Sequence, residues 1–347
     1  MRRGLMAWDK EEVPAEALRT RVERLQGELG NRGLDAILLY TNFVRSAAVS
    51  YMTGFSPYWA DGVLMAPREG ESVFATTLSK RVGSWIETVK PIGVLVNSPT
   101  PGAVLGKRLA EAGLKRLAVL ELDAFPAGLY DELAAALPAA EIVEGGEAFA
   151  AARICDEVER RLLTRADRIA REALLQAKGD ETSAGEAVAK IEKRARELGA
   201  EEIYIAIAPD LDKDSTFLRL SGAYRLGRSF AVRATVAYKG AWIRRTQSYS
   251  RDNWDRALIA RADAWLESVL SMTDRKQLFQ RIASSANELP NAPILDWIAE
   301  TPMGTRPLCV VASKKQPKGA LQAAPLVLSI AVDVDGVTWC GGGLAAE

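Results

Sequence analysis

Two arginines, Arg233 and Arg244, stand eleven residues apart in the stretch "AVRATVAYKGAWIRRTQSYS" (231–250). Alternating runs on either side of Lys239-Gly240 predict a hairpin with a two-residue turn. That register sets Ala237 opposite Trp242, Thr235 opposite Arg244 and Arg233 opposite Thr246. The two guanidinium groups become diagonal neighbours on one face, about 7–8 Å apart at Cα. Thr235, Thr246 and Ser248 share that face, and Val232, Ala234, Val236 and Ile243 take the other. A guanidinium fork suits a carboxylate or a phosphate. The chemistry on offer is therefore anion recognition in a cleft, and the competing reading is a solvated polar strand face.

The chain contains no histidine in its 347 residues. Ser-His-Asp and Cys-His catalysis are excluded, and so is every His-ligated zinc site. Any proton shuttle would have to be Glu, Asp, Tyr, Cys or Lys. The three cysteines, Cys155, Cys309 and Cys340, form no CxxC pair, which fits a reducing compartment rather than a disulfide framework. Cys155 falls at an expected helix start, where a thiolate is favoured, but no base lies near it in sequence and it reads as structural. "PDLDKDS" (209–215) has three Asp but lacks the Gly and terminal Glu of a calcium loop, and reads as a solvated loop. "CGGGLAAE" (340–347) has no Lys and no helix after it, so it is not a phosphate loop. The eight Trp are scattered and read as core or interface residues. With 45 basic and 45 acidic residues the net charge is zero, which gives no electrostatic case for nucleic acid or an anionic membrane. No signal-peptide core and no apolar run of about 18 residues is present, and a cytoplasmic protein is expected.

The elements that would position these residues fall into two groups. From Pro14 to Leu29 the apolar spacing is helical. Strands follow at 34–41, 60–67, 72–78 and 115–122, with helices at 102–113 and 127–138: a compact α/β domain over 1–150. A long helix is expected at 155–178, with Leu162, Ala166, Ile169 and Ala173 in its stripe. Ser183 and Glu186 form a capping-box signature ahead of the next helix. Strand 203–208 and the hairpin follow, then helices at 253–271 and 275–287. Short strands at 308–312, 326–332 and 337–340 finish the chain. Residues 151–347 therefore read as an α+β domain with helices beside a mainly antiparallel sheet.

Four passages in this order resemble the creatinase, prolidase and aminopeptidase P family. They are "RVERLQGELGNRGLDAILLYT", "SYMTGF" (50–55), "RICDEVERRLLTRADRIAREAL" (153–174) and "LGRSFAVRATVAYKGAWIRRTQSYS" (226–250). The resemblance implies a smaller creatinase-like N-terminal α/β domain followed by a pita-bread domain, and covers about 15–250. It also implies where metal ligands would fall. The family's metallopeptidases bind two metal ions through two Asp, one His and two Glu. Here the two Asp positions hold Arg233 and Arg244. The His position falls within 288–320, the first Glu position is Ala331, and Glu347 matches the last. An arginine has no acceptor to offer a cation.

The expectation is a protein without metal or other cofactor and without dinuclear peptidase activity. Its cleft would bind a small anion through Arg233, Arg244, Thr235, Thr246 and Glu347, or the chain would serve as a partner subunit. Alternatively the cleft is inert, with Glu347 or the aspartates of "VDVDG" neutralising the arginines. A third reading is a metal-independent hydrolase or lyase acting on a C–N bond of a small carboxylate-bearing substrate. The resemblance further implies a homodimer, or a heterodimer with an intact family member, in which Trp59 and Asp61 reach a neighbouring subunit's cleft.

Overall fold

The run Ala36-Ile-Leu-Leu39 has no polar side to turn outward, and the strand it forms is buried on both faces. The computed structural model describes residues 8–42, 44–55, 60–83, 93–284, 289, 293–316 and 325–346. The chain folds as two units: Met1–Val158 with Gly304–Pro307, and Glu159–Met303 with Leu308–Glu347.

In the first unit, β1 (Ala36–Thr41) lies inside a mixed six-stranded sheet with β2 (Gly62–Pro67), β3 (Val73–Thr76), β4 (Val94–Asn97), β5 (Arg116–Val119) and β6 (Glu141–Glu144). The order is β4-β3-β2-β1-β5-β6. Accompanying it are α1 (Ala15–Asn31), α2 (Ala47–Thr53), α3 (Pro101–Glu111), α4 (Ala127–Ala136) and α5 (Gly146–Ala152). Successive β1 side chains point to opposite faces. Ile37 and Leu39 join the cluster holding Leu25, Leu29, Val49 and Met52, whereas Leu38 joins Leu105, Leu109 and Leu133. Arg21 is pinned in the same unit, with Nε and Nη2 donating to Asp156 at 2.6 and 2.9 Å.

The second unit opens with α6 (Glu157–Leu174) and α7 (Ala184–Glu197). It then builds an antiparallel sheet from β7 (Glu202–Ala208), β8 (Ser229–Tyr238), β9 (Ala241–Ser250), β10 (Ile294–Thr301), β11 (Cys309–Ser313), β12 (Val327–Val334) and β13 (Val337–Leu344). Helices α8 (Asn253–Leu270) and α9 (Arg275–Ala283) lie between β9 and β10 in the chain. The strand order is β11-β10-β12-β13-β9-β8-β7. Helices α6 and α7 pack on β7, β8 and β9, with Ile169, Ile191, Phe230 and Val232 among the buried residues. Helices α8 and α9 pack on β10, β12 and β13 through Leu266, Leu278, Leu328 and Trp339. Both helix pairs cover one side of the sheet, which leaves the other side to build a cleft. The capping signature is realised: Ser183 Oγ accepts from Glu186 N at 3.3 Å, starting α7.

The β8–β9 hairpin has the expected register, with Arg233 opposite Thr246, Thr235 opposite Arg244 and Ala237 opposite Trp242. Lys239 and Gly240 both take positive φ, 48° and 80°, as a two-residue primed turn requires. Val232, Ala234, Val236 and Ile243 are fully buried on the helix side.

Several expectations need correction. The helix anticipated from 155 begins at Glu157, so Cys155 precedes it and is half-buried. The helix expected over 275–287 runs Arg275–Ala283, and 285–288 lie outside the described residues. The sequence pattern assigns no element to β4, β6, α2, α5 or β10. The last omission matters most. In "ILDWIAET" acids and apolar residues share one face, so the alternation that marks a strand is absent. Two acids of "PDLDKDS" meet bases, Lys213 Nζ at 2.8 Å from Asp210 and Arg228 Nη2 at 3.1 Å from Asp212, and the third, Asp214, accepts from Thr216 Oγ1 at 2.9 Å. Among the described residues no helix is long and apolar enough to cross a membrane.

Candidate functional site

The free side of the second sheet carries a row of paired residues running across five strands. Arg233 of β8 pairs with Thr246 of β9, Thr246 with Gly342 of β13, Gly342 with Ser329 of β12, and Ser329 with Ile298 of β10. Directly paired residues share a face, so all five belong to one side. A cavity of about 90 Å³ opens there, lined by Phe217, Arg233, Thr246, Asp296, Ser329 and Cys340 among others. Gly342 keeps the middle of the row open. A Cβ on it would come within 2.2 Å of the Leu328 carbonyl oxygen, so the two strands meet at a distance only glycine tolerates.

Two positions further along the same face, Arg244 is tied down. Its Nη1 reaches both carboxylate oxygens of Glu300, at 2.7 and 2.6 Å, and its Nε donates to Thr235 Oγ1 at 3.1 Å. Glu300 is only 5% exposed. Arg244 therefore has its counter-charge inside the protein, from a residue that no sequence signal singles out. Asp333 of "VDVDG" does not supply it: its Oδ1 accepts from Gly336 N in its own hairpin turn.

Arg233 is placed differently. Its guanidinium lies over the Phe217 ring, 3.9 Å from the centroid. Among the described residues it makes no hydrogen bond or ion pair, and its buried Nε has no partner. Burial, and then the nearby Arg244 charge, pull its pKa below the ordinary arginine value, partly offset by Glu300. Arginine stays protonated in proteins even so. Two more buried polar atoms without partners line the same cavity, Thr246 Oγ1 and Ser329 Oγ. Buried polar groups are normally hydrogen-bonded. Three unpaired atoms along one row of one cavity form a donor set without its acceptor. Cys340, in the same cavity, has its thiol pushed up to about 12 by burial and is neutral near pH 7.

The residues grouped by sequence thus divide. Arg233 and Thr246 line the cavity, whereas Arg244 and Thr235 form a closed knot with Glu300. Asp61 is an exposed residue of the first unit whose carbonyl accepts from Thr76 Oγ1 at 2.9 Å. Trp59 and Glu347 lie outside the described residues. Ser329, Glu300 and Asp296 escape sequence reasoning. The usable signal for Ser329 is a lone hydroxyl within the apolar run "LVLSIAV". For the acids it is their two-residue spacing from Ile298.

Comparisons with known proteins agree with this architecture. Residues 21–155 match the family model of the Creatinase/Prolidase N-terminal domain. No curated protein matches the chain in sequence. Among solved structures, the X-Pro aminopeptidase from Thermotoga maritima MSB8 superposes with a TM-score of 0.68 at 14% identity, covering 91% of this chain and 94% of that one. The prolidase from Pyrococcus horikoshii OT3 gives 0.67 at 15% identity, with 93% of each chain covered. The Xaa-Pro dipeptidase from Bacillus anthracis gives 0.69 at 14% identity, with 95% of each covered. The chain is therefore built on the prolidase and Xaa-Pro aminopeptidase architecture. A creatinase/prolidase N-terminal domain precedes a pita-bread domain.

That architecture raises the question of metal ions, and the residues present do not fit them. The resemblance puts metal ligands at Arg233, Arg244 and Ala331, which offer two guanidinium groups and a methyl. Among the described residues no group of three or more His, Cys, Asp or Glu is arranged to hold a metal ion. Hard divalent cations require oxygen acceptors, and a guanidinium supplies charge of the wrong sign.

Proposed function

We propose that this chain is a creatinase/prolidase-type protein whose cleft receives a small anion where metal ions would be expected, and that it acts by binding, as a receptor or partner subunit, without peptidase activity. One observation carries the reading. Among the described residues Arg233 has no acid paired with it, and its Nε, Thr246 Oγ1 and Ser329 Oγ stand unpaired around one cavity. A half-buried guanidinium whose Nε is fully shielded is poorly solvated, and a ligand that supplies an anion relieves that cost. Among the described residues only Arg244 of the two is neutralised from within, which lends the inert-cleft reading half of what it needs. The thiol in the cavity, Cys340, is held protonated by burial and lends the hydrolase reading no nucleophile.

Acetate is the test ligand. Calorimetric titration is expected to give saturable binding to the parent protein and a loss of about tenfold or more in Arg233→Met, equivalent to about 1.4 kcal/mol. Arg244→Met combined with Glu300→Gln, which removes both charges of that pair, is expected to keep most of the affinity. Binding that survives Arg233→Met, or no saturable binding to the parent, overturns the reading.

A further inference from the structure

The cavity has a second charged residue, and it lies apart from Arg233. Asp296 is on β10, paired with Ala331 of β12, three strands beyond the β9 partner of Arg233 in the sheet order. Both line the same cavity. Asp296 is exposed, and its Oδ1 accepts only from the backbone N–H of Trp297, at 2.9 Å. Among the described residues it makes no ion pair. Among the described residues the cavity thus has a half-buried cation without an anion at one side and an exposed anion without a cation at the other. Between them are Ala331, Gly341 and Cys340 with its neutral thiol.

We propose that the cavity takes a short zwitterion: a small unbranched amino acid, with its carboxylate on Arg233, Thr246 and Ser329 and its ammonium group on Asp296. This rests on the anion-site reading above and narrows it. A phosphate is disfavoured. A dianion would meet a single unpaired positive charge, with Asp296 and Glu300 both negative nearby. A carboxylate matches the single charge, and two of its lone-pair directions suit the guanidinium edge and the hydroxyls. The modest volume, about 90 Å³, restricts the ligand to a few heavy atoms beyond the carboxylate. The placement also assigns Asp296 a selective role. It repels a plain dicarboxylate and attracts an amine, so specificity comes from repulsion as well as attraction.

The test pairs each amino acid with its deaminated counterpart: β-alanine against propionate and glycine against acetate, by calorimetric titration of the full chain. On the parent protein β-alanine or glycine is expected to bind about tenfold tighter than its counterpart. In Asp296→Asn that ratio is expected to collapse towards one, because the ammonium group has lost its partner. If the carboxylates bind and the amino acids bind no better, the zwitterion inference is overturned while the anion site stands. A ratio unaffected by Asp296→Asn also overturns it. If neither kind of ligand binds, the failure lies with the anion site itself.

Discussion

Glu300→Gln is expected to lower the unfolding free energy by about 2–4 kcal/mol, from urea denaturation followed by circular dichroism. The substitution keeps shape and one acceptor but removes the charge that Arg244 Nη1 meets at 2.6 and 2.7 Å. Removing one partner of a largely buried ion pair leaves the other charge uncompensated in a poorly solvated place, and that desolvation cost dominates. Here the penalty is compounded because the Glu300 charge also acts on Arg233, which lies on the same face and has no other acid against it among the described residues. A double substitution, Glu300→Gln with Arg244→Met, is expected to recover most of the loss, since the stranded charge is gone. A single-variant change within about 0.5 kcal/mol would mean that Glu300 does not balance Arg244.

Arg245→Met is expected to cost a similar amount, about 2–4 kcal/mol, from the opposite side of the same strand. Arg245 follows Arg244 and so points to the helix side. There it is 7% exposed, with Nη1 donating to Asp167 of α6 at 2.8 Å and Nη2 to Glu267 of α8. Asp167 also accepts from Leu344 N at 3.2 Å, so the arginine joins two helices to the end of β13. Methionine fills much of the volume but leaves two carboxylates facing each other. A thermal melt of the variant at neutral pH that matches the parent would contradict this role.

These two arginines show what the sequence discloses. The hairpin is readable because its signals are local. Alternation and a Lys-Gly turn fix the register, and the register alone decides that Arg233 and Arg244 share a face while Arg245 takes the other. What neutralises each arginine is not readable. Glu300 is 56 residues from Arg244, on a strand whose mixed face hides the period-two pattern, and only the sheet order brings it across β13 and β12. Asp296 is hidden by the same strand. The fold fares better, because buried strands such as "LDAILLYT" and helix stripes such as Leu162–Ala166–Ile169–Ala173 declare themselves through burial periodicity. Sequence similarity can locate where metal ligands should fall and show that arginines stand there. It cannot show that one arginine is already paired and the other is not, and the proposed function depends on that difference.

The most direct test of the central claim, that this cleft is built for an anion and not for cations, is metal content. The purified chain would be incubated with excess Mn²⁺ and Zn²⁺, desalted, and measured by plasma mass spectrometry against protein concentration. Fewer than about 0.1 ion per chain is expected, because guanidinium groups stand where acceptors are required. A stoichiometric uptake of about two ions per chain, lost in variants of cleft residues, would contradict it.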